Sequence, residues 1–279
     1  MSVTFVGAGS LASAMAVLLQ RAGYTIEEIV TRDDAASRQR GAVLARMVGA
    51  QAATMARATL RVDIVWLAVN DDAIAMCADA LAQRGEWKGR IALHSSGALA
   101  SDEMEALRQR GAHTGSLHPM MTFVKNVVPE LRGVSFAIEG NSVATTVAKQ
   151  IVRALGGTSF AISKENKGLY HAFGAFISPL LVAQLTAAEE VARAAGVPQK
   201  NVVPAMAPII LRTLENYFSE GGAAAFSGPL LRGDVNTIER HVAALKDSGA
   251  AEVYRALATY AVKALPVKNW KALEKVLKS

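Results

Sequence analysis

The fold is decided by the N-terminal stretch Ser2-Val3-Thr4-Phe5-Val6-Gly7-Ala8-Gly9-Ser10-Leu11-Ala12. Residues 2–6 are typical of a short buried strand, and residues 14–19 of the helix that follows. Between them the spacing is G-x-G-x-x-A: a glycine for a tight turn, a glycine for close approach to a pyrophosphate, and a small residue for packing the helix on the strand. The alternative is an ordinary strand–helix turn. The predicted cofactor contacts here are Gly7, Ala8, Gly9, Ser10 and Leu11.

The composition is that of a globular chain with a mildly basic surface. Of 279 residues, 51% are apolar, and the net charge is +6. This apolar content excludes a disordered chain. The basic residues are spread out and only 6% of the residues are aromatic, so we predict no nucleic-acid partner. A mildly basic surface suits a phosphorylated cofactor.

Cysteine usage and hydropathy predict a cytoplasmic location. Cys77 is the single cysteine, which rules out an internal disulfide and indicates a reducing compartment. The N-terminal segment lacks the pattern of a signal peptide. The longest apolar stretch, residues 172–183, is too short to span a bilayer and contains Pro179, so no membrane partner is expected.

Strand-like and helix-like segments alternate up to about residue 163, which predicts an α/β domain with a doubly wound parallel sheet. The second strand ends at Thr31-Arg32-Asp33. An acidic residue at this position binds the ribose 2′-hydroxyl of NAD, whereas an arginine accommodates the 2′-phosphate of NADP. Thr31 and Arg32 favour NADP over NAD; Asp33 argues the other way, unless it caps the next helix.

Two later strands end in polar residues, at the sheet edge where ligands bind. Residues 63–69 form an apolar strand followed by Asp71, which we interpret as a helix N-cap. Residues 90–94 form another, followed by a Ser-Ser-Gly turn whose Gly97 is a candidate substrate contact. A simple turn with serine caps is the alternative. The cofactor contacts predicted here are Val69, Asn70, Ser95 and Ser96.

His118 follows the predicted strand 113–117 and precedes Pro119. Its ring could polarise a carbonyl or an imine, or it could be a structural histidine bonded to the backbone. We interpret His94 and His113 as structural.

Helical patterns replace strands from about residue 164. Residues 164–195 predict one long helix with a kink near Ser178-Pro179. We therefore predict a Rossmann domain at residues 1–163 and an all-helical substrate domain at residues 164–279, with the active site in the cleft between them.

Two sets of residues in this second half are candidates for chemistry. Lys167 and His171 are four residues apart, on one helix face, and either could deliver a proton. The alternative for Lys167 is a solvated surface lysine. In the loop 226–234, Arg232 could hold a carboxylate or phosphate, or pair with Asp234, which we predict to be an N-cap.

Several segments are distinctive together with the glycine motif. They are His94-Ser95-Ser96-Gly97-Ala98, Ser116-Leu117-His118-Pro119-Met120-x-Thr122-Phe123, Lys167-x-x-Tyr170-His171-Ala172 and Ser227-Gly228-Pro229-x-x-Arg232-Gly233-Asp234. Nearly the whole chain thus resembles a family that joins an N-terminal Rossmann-like domain to a C-terminal domain of unknown function. Its members are described as NADP oxidoreductases and compared with deazaflavin-dependent ones. The plan is similar to that of pyrroline-5-carboxylate reductases, β-hydroxyacid dehydrogenases and the C-terminal domain of 6-phosphogluconate dehydrogenase. The resemblance implies a homodimer formed through the helical domains.

The resemblance also carries residue roles. In β-hydroxyacid dehydrogenases a Lys-x-x-x-Asn pair at this helix start does the chemistry. Lys167 matches the lysine and becomes a candidate acid, while His171 replaces the asparagine and leaves the substrate class open. The closer family often has Ser-Asn where this chain has Ser178-Pro179. Any contact made by the side-chain amide of that asparagine is therefore missing in this chain.

The sequence therefore predicts an NADP-dependent oxidoreductase that transfers a hydride between NADP(H) and a small carbonyl or imine. Lys167 or His171 would handle the proton, and His118 would orient the substrate. Two alternatives stay open: a non-catalytic NADP sensor and a deazaflavin-dependent NADP reductase. No cluster of metal ligands is evident in the sequence, so no metal is predicted.

Overall fold

A sheet of eight strands forms the centre of the N-terminal part. The structure, a computed structural model, describes residues 1–278. The strands are β1 (Ser2–Val6), β2 (Thr25–Thr31), β3 (Gln51–Thr54), β4 (Ile64–Leu67), β5 (Ile91–His94), β6 (His113–Pro119), β7 (Ser135–Gly140) and β8 (Thr158–Ala161).

The strand order is β3-β2-β1-β4-β5-β6-β7-β8, which is the doubly wound arrangement expected. All neighbours are parallel except β6 and β7, where His118 pairs with Ala137 in antiparallel register. The predicted doubly wound parallel sheet is therefore confirmed, with one antiparallel pair at β6–β7. A parallel return usually needs a crossover helix, and residues 120–134 form none.

Helices cover both faces of the sheet. Phe5 and Trp66 are fully buried on one face and stack with ring centroids 5.4 Å apart, and Val65 and Leu67 are fully buried on the other. This double burial explains why β4 is apolar at every position. The helices here are α1 (Ser10–Arg21), α2 (Ala35–Val48), α3 (Ile74–Ala82), α4 (Glu105–Gln109), α5 (Ser142–Ala154) and α6 (Lys167–Ile177), with short 3-10 turns at Asp71–Ala73, Ser101–Met104 and Lys164–Asn166.

The chain forms two compact units, the first from Met1 to Ala175 and the second from Phe176 onward. The first unit therefore extends past the predicted boundary at residue 163 and includes Lys167 and His171. The helices of the second unit are α7 (Pro179–Ala194), α8 (Gln199–Glu220), α9 (Gly222–Ala225), α10 (Pro229–Arg232), α11 (Val235–Leu245), α12 (Ala250–Ala264) and α13 (Trp270–Lys278).

The predicted kink at Ser178-Pro179 is confirmed. Helix α6 ends at Ile177, Ser178 leaves the helical conformation with φ −130° and ψ −86°, and α7 begins with Pro179. Proline is tolerated at a helix start because an N–H group at that position would have no acceptor within the helix.

Much of the apolar surface of these helices is uncovered. The helical stretch 164–194, with its kink, is 31 residues long, has a mean hydropathy of 1.4 in its most apolar 18-residue window, and has none of that window buried. By length and composition it could cross a membrane, so the expectation based on residues 172–183 alone was too narrow. Helix α8 buries only Val202 and exposes Leu211 and Phe218.

Candidate functional site

The turn after β1 requires glycine at its first position. Gly7 has φ +115°, and a Cβ there would collide with the carbonyl oxygen of Ala68. Its amide donates to Val30 O at 2.8 Å, which joins the turn to β2. The tight turn predicted at Gly7 is present for this steric reason.

The N-terminus of α1 is open to a ligand. Gly9 is the N-cap of α1, and no side chain caps this helix end with a hydrogen bond. A Cβ built on Gly9 would have no described atom within 4 Å. No acidic residue lies in the first turn, so the first N–H groups and the positive end of the helix dipole, around Ser10 and Leu11, keep their capacity for an anion. This donor set fits a pyrophosphate.

The end of β2 presents an exposed guanidinium. Thr31 is buried, and the side chain of Arg32 is 83% exposed, 3.6 Å from the Asp34 carboxylate. Asp34 caps α2 by accepting from the Ser37 amide at 2.9 Å. The suggested cap is therefore Asp34 rather than Asp33, which pairs with Arg38 on the surface.

The end of β4 is joined to the end of β5 by a carboxylate. Val69 and Asn70 follow β4, and Asn70 is the N-cap of the next turn. The interpretation of Asp71 as that N-cap is wrong: Asp71 Oδ2 accepts a hydrogen bond from Ser96 Oγ at 2.8 Å. The reason is that helical geometry begins one residue earlier than the pattern suggested.

The two serines after β5 are already engaged within the protein. Ser95 Oγ accepts from Trp66 Nε1 at 2.7 Å. Ser96 Oγ accepts from the amides of Ala98 and Leu99 at 3.1 and 2.9 Å. The Ser96 hydroxyl therefore stabilises the turn itself. Contacts of these two serines with a cofactor stay a prediction.

The His94 ring forms hydrogen bonds with the backbone of the same turn. It is fully buried; its Nδ1 accepts from the Ser96 amide at 3.1 Å and its Nε2 donates to Ala100 O at 3.0 Å. Burial, together with the Lys167 charge, lowers the pKa of His94 to about 4, so the ring is neutral. This is the structural histidine expected.

Lys167, in the first turn of α6, is fully buried. Its Nζ donates to Ser96 O at 2.8 Å and to Ser116 Oγ. Burial lowers the pKa of Lys167 to about 8, against the opposing charges of Glu139 and Asp71. The alternative of a solvated surface lysine is therefore wrong. The sequence does not reveal the burial, because Ser96 and Ser116 are 71 and 51 residues away from Lys167 in the chain.

His118 contacts a residue that the sequence analysis did not select. Its Nδ1 lies 2.8 Å from the hydroxyl of Tyr170, which is 6% exposed. Burial raises the pKa of Tyr170 to about 12, and burial together with the charges of Lys167 and His171 lowers the pKa of His118 to about 4. Tyr170 follows Lys167 by three residues on the same helix face, which is the signal that could have found it.

Gly97 separates two imidazoles. A Cβ at this position would lie 2.8 Å from His118 Nε2 and 2.8 Å from His171 Cδ2. The two rings are 6.1 Å apart between centroids, and His171 is exposed. His118, His171, Lys167 and Gly97 thus come together in the first unit from three separate segments of the chain. We call the surface where Gly97 and the two imidazoles meet the Gly97 gap.

Arg232 is at the exposed end of α10, in the second unit. Asp234 caps α11 as expected, accepting from Thr237 N at 3.2 Å and from Thr237 Oγ1 at 2.7 Å. Over residues 1–278 no ion pair joins Arg232 to Asp234. Within the same range no group of three or more His, Cys, Asp or Glu side chains could hold a metal.

Three solved structures share this fold. The NADP oxidoreductase candidate BF3122 from Bacteroides fragilis is 22% identical, with a TM-score of 0.76 over 93% of this chain and 96% of that chain. The imine reductase from Myxococcus stipitatus in complex with NADP⁺ is 18% identical, with a TM-score of 0.69 over 100% of both chains. A pyrroline-5-carboxylate reductase from Coxiella burnetii is 16% identical, with a TM-score of 0.58 over 99% of this chain and 96% of that chain.

At these identities the likeness establishes the fold. A search of curated proteins finds no match. Two family profiles match the sequence: a Rossmann-like domain at residues 1–119 and the domain of unknown function DUF2520 at residues 134–261. The chain therefore carries a Rossmann-like domain followed by a DUF2520 domain.

Proposed function

We propose that this protein is an NADP-dependent oxidoreductase acting on a small carbonyl or imine. One observation carries the proposal: an open helix N-terminus and a cluster of ionisable side chains stand at the same edge of one sheet. Gly7 follows β1 and His118 lies near the end of β6, and the strands from β1 through β4 and β5 to β6 are all parallel neighbours. Ligands of such sheets bind at this edge.

The residues of the chain would hold the cofactor at two points. The N–H groups after Gly9 would bind the pyrophosphate, and Arg32 with Thr31 would bind the 2′-phosphate. NADP⁺ and NAD⁺ are both seen in imine reductases of this fold, and Arg32 is the reason that we assign NADP here. When bound, the nicotinamide supplies the hydride.

The side chains near Gly97 would then hydrogen-bond to the polar group of the substrate and transfer a proton to it. We assign the orienting hydrogen bond to His118 and the proton transfer to His171, because His171 is exposed and adjoins the Gly97 gap. Lys167, also a candidate acid, has no exposed surface and two acceptors for its ammonium group. We therefore propose that Lys167 holds the Ser96 carbonyl and keeps the site positive.

The decisive experiment is a binding titration with NADPH and NADH, followed by a screen of keto acids, aldehydes and cyclic imines for NADPH oxidation. Gly9→Asp is the matched negative variant: there is room for its side chain, and aspartate is a good N-cap, so its unfolding temperature should equal or exceed that of the wild type. Its carboxylate would repel the phosphates and abolish NADPH binding.

Loss of NADPH binding in a stable Gly9→Asp variant supports the proposed site. Wild-type protein that binds neither cofactor, or a Gly9→Asp variant that binds NADPH normally, contradicts it. NADPH binding without turnover on any substrate favours the sensor alternative.

We also propose a homodimer that covers the apolar helices. Leu211 and Phe218 on α8 are 60% and 81% exposed, and nothing in the described chain buries them. Exposed apolar patches of this kind mark association surfaces. A second copy fits better than a bilayer, because the helical stretch 164–194 bears the buried, hydrogen-bonded Lys167 at one end and the charged Glu189, Glu190 and Arg193 at the other. The unpaired Cys77 suits a reducing compartment such as the cytoplasm.

A further inference from the structure

The pair His118–Tyr170 determines which hydrogen-bonding groups the site offers to a substrate. A neutral imidazole has one N–H donor and one acceptor nitrogen, and its neighbours select between the two tautomers. His118 Nδ1 and Tyr170 Oη are 2.8 Å apart. The orientation of this one hydrogen bond therefore decides what His118 Nε2 can do.

Burial decides the direction of that hydrogen bond. The Tyr170 hydroxyl is buried, and its partner among the described residues is His118 Nδ1. If Nδ1–H donated instead, the phenolic proton would be buried without an acceptor, which costs about 1–3 kcal/mol. The hydroxyl therefore donates to Nδ1, and His118 carries its proton on Nε2.

His118 Nε2 is accessible to a ligand, because it is not one of the buried side-chain atoms that lack a hydrogen-bond partner within residues 1–278. A Cβ on Gly97 would lie 2.8 Å from Nε2, and within residues 1–278 this nitrogen has no hydrogen-bond partner. The His171 ring borders the same gap. His118 thus offers a donor to the gap, and no acceptor.

The charges around the gap agree with a donor site. Lys167 and His171 are the ionisable groups that act on His118, and both disfavour a second positive charge there. The two carboxylates that act on Lys167 are engaged elsewhere, Asp71 with Ser96 Oγ and Glu139 with Ser101 N at 2.7 Å. No carboxylate is thus directed at the gap from the described part of the chain.

We propose that the reacting atom of the substrate is a hydrogen-bond acceptor, a carbonyl oxygen, and that Tyr170 is the positioning residue that fixes His118 as its donor. This inference rests on the proposed function and narrows its substrate class. An imine becomes reactive as the protonated iminium, whose nitrogen has no lone pair for the Nε2–H group and whose charge the Lys167 ammonium group repels.

The step balances for a ketone or aldehyde. The carbonyl carbon gains the hydride, the C=O π pair moves to the oxygen, and the oxygen takes a proton from His171 to give the alcohol. His118 Nε2–H stabilises the growing negative charge on that oxygen throughout. The neutral ring is suited to this role because it stays a donor without giving up its proton.

The tautomer can be measured without any substrate. In ¹⁵N-histidine-labelled protein at pH 7, we expect the His118 ring to be neutral, with an unprotonated Nδ1 and a protonated Nε2; His118→Gln identifies its signals among the five histidines. Tyr170→Phe should leave the fold intact and convert His118 to a mixture of tautomers. The matched control is Tyr254→Phe, which removes the same hydroxyl from an equivalent pair, His241 Nδ1···Tyr254 Oη at 3.0 Å, and should leave the His118 signals unchanged.

The second measurement is a titration of the NADP⁺-bound protein with cyclopentanone and with 1-pyrroline, which share a ring size. We expect the ketone to shift the His118 Nε2–H signal and the cyclic iminium to leave it in place. In turnover the ketone should have at least about a tenfold higher kcat/KM than the imine, and Tyr170→Phe should lower kcat about tenfold, as expected for one lost hydrogen bond.

Two results would overturn the inference: an Nδ1–H or charged His118 ring in the wild type at pH 7, or an Nε2–H signal that responds to the iminium and not to the ketone. Failure of the proposed function is separate, since it would appear as absent NADPH binding while the tautomer is as stated.

Discussion

The Lys167 ammonium group donates to the Ser96 carbonyl oxygen at 2.8 Å, and this buried hydrogen bond joins the first turn of α6 to the turn after β5. The two residues are 71 positions apart in the chain. A buried cation that is held by a carbonyl and a hydroxyl, with no carboxylate in direct contact, costs desolvation energy. The buried charge should therefore make the stability of the protein depend on pH.

The stability of the protein should increase with pH through the ionisation of Lys167. Its pKa is lowered to about 8 from 10.5, so the unfolded chain binds the proton more tightly than the folded one. The free energy of unfolding of the wild type, relative to Lys167→Met, should therefore rise between pH 8 and pH 10.5, by roughly 3 kcal/mol. Urea denaturation of both proteins over this range measures it, and a difference that stays constant with pH would contradict the buried charge.

His94 should make the protein sensitive to acid in the opposite range. Burial lowers its pKa to about 4 from 6.5, so the stabilisation is complete above pH 6.5 and is lost as the pH falls towards 4. The free energy of unfolding of the wild type should fall by roughly 3 kcal/mol over this window, and His94→Gln should not show this fall. His241→Gln, at a surface position in the second unit, should keep the wild-type acid profile; identical profiles for all three proteins would show that His94 is not buried neutral.

Filling the gap at Gly97 should impair turnover with little effect on the fold. Gly97 lacks a positive φ, so alanine adds no backbone strain, but its Cβ would displace the His118 and His171 rings. We expect kcat/KM to fall roughly 10- to 100-fold. Gly168→Ala is the control, because nothing lies within 4 Å of its Cβ and a helical alanine should stabilise by about 1 kcal/mol. Equal activity of the two variants would argue against a site at this gap.

Arg32→Ala should weaken NADPH binding and spare NADH. A guanidinium that holds a phosphate contributes a charged hydrogen-bond pair, so we expect roughly a 10- to 100-fold rise in the Kd for NADPH. Fluorescence titration with both cofactors measures it. Arg46→Ala is the control, since Arg46 is exposed at the far end of α2 and bonds to Ala42 O. The NADP assignment fails if wild-type affinities for NADPH and NADH are equal.

Helix α8 should be part of the dimer interface. Leu211 and Phe218 are seven residues apart and so share one exposed face. Leu211→Glu with Phe218→Glu should convert the dimer to a monomer or weaken it at least tenfold, as for central interface residues. Light scattering after size exclusion gives the mass. Arg212→Glu on the same helix should remain dimeric, and a monomeric wild type would contradict the proposal outright.

The local parts of this protein are predictable from local pattern. The glycine turn, the strand ends, the break at Pro179 and the cap at Asp234 each depend on residues within a few positions of one another, where backbone sterics and short-range hydrogen bonds act. Element types were therefore expected correctly along most of the chain. The antiparallel pair β6–β7 was missed because strand direction depends on the connection between strands rather than on the strands themselves.

Side-chain environments depend on residues that are distant in sequence. Lys167 looks like a surface lysine in the sequence. It becomes a buried cation because Ser96, which follows β5, and Ser116, within β6, both lie against its ammonium group. Asp71 looks like a cap, and its carboxylate instead accepts from Ser96, 25 residues away. Tyr170 looks like a packing residue until His118, 52 residues away, is placed against its hydroxyl.

The opening stretch from Ser2 to Ala12 is sufficient to specify the glycine turn and the open end of α1, because one glycine conformation and one helix start are local properties. The donor or acceptor character of the side chains around Gly97 is different in kind. Burial and the pairing of Tyr170 with His118 set it, and both arise only when the sheet brings separate segments to one edge.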